Sequence, residues 1–116
     1  GIQVIHLDCA LEAADSQLRT VAQRIGLEHL PQAVENSLAL HLLEGPKVRG
    51  FYFTLTDKAP LPDEWEFLTV GILHVGDAVW FATLLSHEKE GQDFHDALNL
   101  WTYADFTIDP QFCPVT

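Results

Sequence analysis

Hydrophobic and polar positions change period several times along the chain, and each change marks an element. Ile2–Leu7 (IQVIHL) is rich in β-branched residues and free of breakers, the pattern of a short strand. Asp8 can cap the helix after it. Leu11, Ala14, Leu18, Val21, Ala22 and Ile25 recur at helical spacing on one face, with Glu12, Asp15, Arg19 and Gln23 opposite. Asp15 and Arg19 stand four apart, a favourable pair on a helix. Gly26 is placed to end this helix as its C′ residue.

Residues 28–36 contain Pro31 and read as a connector with room for one helical turn. Ser37–Glu44 (SLALHLLE) is apolar on all sides, as a buried strand would be, although a helix from Pro31 to Leu43 satisfies the same pattern. A strand fits the neighbouring segments better: Gly45-Pro46 comes next and then the strongly β stretch Arg49–Thr56 (RGFYFTLT), so that the two form a hairpin. Asp57–Glu64 (DKAPLPDE) is a loop, because Pro60 and Pro62 bar regular structure. Glu66–Val75 and Ala78–Ser86 predict a second hairpin that turns at Gly76-Asp77. A second helix is expected from about Gln92 to Tyr103. Phe94, Ala97, Leu98 and Trp101 form its stripe, and Asp93 and Asp96 sit in the first turn, where the helix dipole favours acid. The tail from Asp105 holds Pro110 and Pro114 and is irregular apart from a short edge strand at Phe106–Ile108.

The order β-α-β-β-β-β-α, with short links between strands, implies a two-layer α+β fold: an antiparallel sheet of about five strands with two helices on one face, forming a single domain over residues 1–116. Alternation along the strands complicates that picture. Leu68, Val70 and Ile72 point one way while Phe67, Gly71 and Leu73 point the other, and Trp80, Ala82 and Leu84 oppose Val79, Phe81 and Leu85. A sheet wet on one side alternates apolar with polar. If both helices lie on one face, the other must meet a loop, the tail, a ligand or a second copy, so a homodimer through the sheet is one expectation.

Composition narrows the function. The chain carries 17 acidic and six basic residues in 116, a net charge of −11. The imbalance lies in the second half, where Lys89 is the one base among ten acids from Ala59 onward. Such a field repels nucleic acids and anionic membranes and attracts basic partners. No apolar run is long enough for a membrane helix. No basic segment followed by an apolar one opens the chain, so a cytoplasmic location is expected; a start at Gly1 and the absence of Met leave room for a leader already removed. Cys9 and Cys113 have neither zinc nor redox spacing. Reduced thiols fit a cytosolic chain, whereas a disulfide would tie the tail to the first strand, contribute about 4 kcal/mol and imply an oxidising compartment.

No motif names a reaction, so an enzyme is not the favoured class and no cofactor is expected. There is no glycine-rich phosphate loop and no nucleophile elbow. His87, Glu88, Glu90, Asp93, His95 and Asp96 are the densest set of donors, yet they lack ligand spacing and read as a solvated helix start rather than a metal site. His74 with Asp77, and His41 on an apolar stretch, could support general-base chemistry in a small enzyme, but each is more simply a satisfied structural histidine. The patch best suited to function is Asp57, Asp63, Glu64 and Glu66 around Trp65, where acid would steer a basic protein partner and the aromatic ring would anchor it. The leading expectation is therefore a small acidic protein-binding module, of the immunity or inhibitor type, that blocks a basic nuclease or nucleic-acid-binding surface. A homodimeric small-molecule sensor with a pocket between sheet and helices is the alternative.

Overall fold

A computed structural model describes residues 2–8, 15–60, 62, 64–75 and 78–104. Five strands, β1 (Ile2–Asp8), β2 (His41–Glu44), β3 (Val48–Thr56), β4 (Phe67–Val75) and β5 (Ala78–Ser86), form one antiparallel sheet in the order β1-β5-β4-β3-β2. Among the described residues two α-helices accompany the sheet, α1 (Asp15–His29) and α2 (Gln92–Thr102), with a short 3-10 turn at Leu30–Gln32 after α1. It is the α+β architecture that the hydrophobic pattern implies. Strands β2 to β5 form a meander, while β1 pairs with β5 at the far edge. The connection through α1 therefore spans the whole width of the sheet.

That crossing changes the layering. Register puts Phe51, Phe53 and Leu55 of β3 on the same face as Leu68, Val70 and Ile72 of β4 and Val79 and Phe81 of β5. Leu18 and Ala22 of α1 pack here, with Val21 and Ile25 beside them. The opposite face carries Val48 and Tyr52, Leu73 and Val75, and Trp80, Ala82 and Leu84, and it is covered by Phe94, Ala97 and Trp101 of α2. The helices thus lie on opposite faces, not on one, and the domain has three layers rather than two. Strands that are apolar on both sides are explained within a single chain, so a second copy is not needed to close a face.

Local differences arise from packing. Helix α1 does not end at Gly26 but runs on to His29. Gly26 is buried there, and a Cβ at this position would collide with the Leu38 side chain. The glycine serves close approach, not a cap. Strand β2 begins only at His41, and residues 37–40 are irregular, although Leu38 and Leu40 still reach the α1 core. Gly71 plays a second close-approach role: a Cβ there would lie 3.0 Å from the Trp101 ring, so glycine lets the indole rest on the sheet. The Trp101 Nε1–H donates to Gln3 Oε1 at 2.6 Å, tying α2 to the edge strand β1. Cys9, Cys113, the Gly76-Asp77 turn, the Phe106–Ile108 strand and the first turns expected of the first helix lie outside the described residues. No helix among the described residues is long and apolar enough to cross a membrane.

Candidate functional site

The acidic patch sits where the ends of β3, β4 and β5 meet the connector after α1. The Asp57 N–H donates to Glu66 O at 2.8 Å, continuing the β3–β4 ladder past its last pair. On the other side Ala33 bridges Asp57, and Lys58 N–H donates to Gln32 O at 3.0 Å. Asp57 Oδ1 accepts the Ala59 N–H at 3.0 Å, the local bond that lets an Asp start a turn. Trp65 is half-buried, with its ring centroid 4.3 Å from that of His87, so the loop after β3 is held against the loop after β5.

These contacts enclose a cavity of about 170 Å³ on the α1 face. Leu55, Leu68 and Leu85 line it, Trp65 is in its wall, and Asp57 and Glu66 stand with His29 and Gln32 around it. Three of the five residues singled out in the sequence thus converge. Glu64 is exposed beside them in sequence, and Asp63 lies outside the described residues. Ligand pockets begin near 300 Å³, so this cavity suits one inserted side chain better than a free molecule.

A larger groove of about 480 Å³ opens at the same end of the sheet on the α2 face. Its floor is aromatic: the His41 ring stacks on Tyr52 at 5.1 Å between centroids, Tyr52 meets Phe94 at 6.3 Å, and His95 packs edge-on to Phe94 at 5.5 Å. Glu35 and Ser37 form one wall, and Lys89 and Glu90 the other. Both Glu35 oxygens accept the Thr56 N–H, at 3.0 and 2.9 Å, and Oε1 also accepts the Thr56 hydroxyl at 2.7 Å. Glu35 thereby takes the place of a strand partner that the irregular segment 37–40 does not supply. Burial opposes its charge, but the bonds from Thr56 and the nearby Lys89 outweigh burial and hold the carboxyl below its ordinary range. Burial and the neighbouring Glu90 push the Tyr52 phenol up, so it keeps its proton.

The histidines weighed for catalysis do not meet. His41 pairs with Tyr52 on the α2 face, whereas His74 pairs with Val79 on the α1 face. The two side chains therefore stand on opposite faces of the sheet. Among the described residues no group of three His, Cys, Asp or Glu side chains gathers as a metal site would require. His87 lies on Trp65, His95 on Phe94, and Asp96 Oδ1 accepts from Gln92 Nε2 at 2.7 Å.

Sequence reasoning missed the groove as a unit. Glu35, Tyr52 and Lys89 come from three separate segments and share no motif. The signal that was present is the lone base of the second half, which lines this opening. No protein-family model matches the chain, and no curated protein or solved structure matches it either.

Proposed function

We propose that this protein is a small acidic binding module whose Asp57–Glu66 loop receives a basic side chain from a protein partner, in the manner of an inhibitor or immunity protein that covers a cationic surface. The observation that carries this reading is the convergence of Asp57, Trp65 and Glu66 on one cavity of side-chain size, in a chain of net charge −11. The stem of a lysine or arginine would lie along Leu55, Leu68 and Leu85. Its charged head would meet the carboxylates and the indole, combining charge-assisted hydrogen bonding with cation–π attraction. The long-range field would speed the encounter and make it salt-dependent.

The test is affinity capture with the full chain as bait at low and high salt, followed by titration of the captured partner against E64K/E66K and W65A. A basic protein, bound more weakly at high salt and at least tenfold more weakly by each variant, is the expected result. A partner that binds these variants as tightly as the unaltered chain would show the contact to lie elsewhere.

A further inference from the structure

We propose that the groove on the α2 face is a binding site for a small zwitterionic aromatic molecule, of which an aromatic amino acid is the simplest case. The site is separate from the Asp57–Glu66 cavity, which lies on the other face of the sheet, and does not depend on it. Three observations converge. At about 480 Å³ the groove falls in the range of small-molecule pockets, which runs from roughly 300 to 1,000 Å³. Its floor is a continuous run of rings, His41, Tyr52 and Phe94, on which a planar ligand can stack. Its wall presents both signs of charge side by side, Lys89 and Glu90.

The polar groups of the groove are not equally free. Glu35 is engaged by the Thr56 N–H and hydroxyl, and Thr54 shares a hydroxyl–hydroxyl bond with Thr69 at 2.9 Å. The Tyr52 hydroxyl, by contrast, has no hydrogen-bond partner among the described residues, and the phenol is held protonated as a donor. A ligand carboxylate would pair with Lys89 and the Tyr52 hydroxyl, and a ligand ammonium with Glu90. A phosphate-bearing ligand is disfavoured, because Glu35, Glu90 and the net charge of the chain all oppose it. The same field favours a cationic amine, which could pair with Glu90, so what selects a zwitterion is the pairing of its carboxylate with Lys89 and the Tyr52 hydroxyl.

The experiment is a titration of the isotopically labelled full chain, followed by amide NMR, with three probes: L-tryptophan, tryptamine, which lacks the carboxylate, and indole-3-propionate, which lacks the amine. L-tryptophan should give saturable shifts at millimolar concentration, centred on residues 52–54 and 89–95, with each single-charge probe about tenfold weaker. In K89A, an exposed change that leaves the core untouched, the preference for L-tryptophan over tryptamine should vanish. Absence of saturable shifts, equal binding of all three probes, or a preference that survives K89A would each overturn the proposal.

Discussion

On one face of the sheet, α1 lays Leu18 and Ala22 over Phe53, Val70 and Ile72, and the segment after it adds Ala33, Leu38 and Leu40. On the other, α2 lays Phe94, Ala97 and Trp101 over Leu73, Val75 and Ala82. The first face is covered by a 15-residue helix and the chain that leaves it, apart from the cavity beside Asp57 and Glu66. The second has a helix of 11 residues, about 16 Å long, lying on nine-residue strands of about 30 Å. Where α2 stops short, the sheet changes composition: Thr54 and Thr69 bond to each other, Thr56 binds Glu35, and Ser86 Oγ donates to Glu88 O at 2.9 Å. The hydroxyl-bearing sheet residues at the uncovered end thus find hydrogen-bond partners nearby, and the aromatic-floored groove opens beside them. The contrast teaches that a face need not be completely roofed if its unroofed residues can bond one another.

The contrast can be broken most sharply at the α2 core. At the centre of this face lies the Trp101 indole, fully buried, seated on Gly71 and bonded to Gln3. Trp101→Ala should cost about 3–5 kcal/mol, and Leu18→Ala on the other face about 2–4 kcal/mol, both read as shifts of the urea midpoint at constant slope. A Trp101→Ala loss smaller than that of Leu18→Ala would mean that α2 is an accessory and not the second core. Gly71→Ala sharpens the same point, since its Cβ would press on the indole. About 1–3 kcal/mol is expected from overpacking, and a neutral or stabilising result would show that the Trp101 ring can shift at little cost.

Smaller effects belong to the polar end. Glu35→Gln keeps the shape of the side chain but weakens the bonds to Thr56, for an expected loss of about 1 kcal/mol at neutral pH. Because the folded-state pKa of Glu35 lies below the ordinary glutamate value of 4.5, its stabilisation is complete above that pH and is lost as pH falls through the lowered value. The stability gap between the two chains should therefore close on acidification below about pH 4.5. A gap that stayed constant into acid would assign the loss to packing instead of charge. The smallest stability effect is expected at the exposed rim, where E64K and E66K should each change stability by under about 0.5 kcal/mol, leaving any loss of partner binding attributable to the surface itself.

Much of the chain was legible one element at a time. Strand β5 runs from Ala78 to Ser86 as the alternation required, and α2 begins at Gln92 as the stripe of Phe94, Ala97 and Trp101 required. Elements whose limits depend on distant neighbours were harder to read. Gly26 looks like a helix terminator in sequence, because nothing local reveals that Leu38 will lie against it. Segment 37–40 looks like strand, because Leu38 and Leu40 are spent on a core, yet the ladder position they would fill is taken by the Glu35 carboxylate. Of the acidic patch, the sequence could name Asp57, Trp65 and Glu66 but not their partners His29 and Gln32, which arrive from the far side of the α1 crossing.

By itself, then, the sequence determined the order of the elements, the antiparallel pairing of neighbouring strands, the acidic field and the apolar character of both sheet faces. Each of these depends on periodicity or charge within a few residues. Only the tertiary structure decided that β1 takes the edge beside β5, that α1 must therefore cross the whole sheet on one face, and that α2 returns on the other. That choice is made by long-range pairing and by which surfaces can be buried together. The same choice separates His41 from His74 and brings Glu35, Tyr52 and Lys89 to one groove.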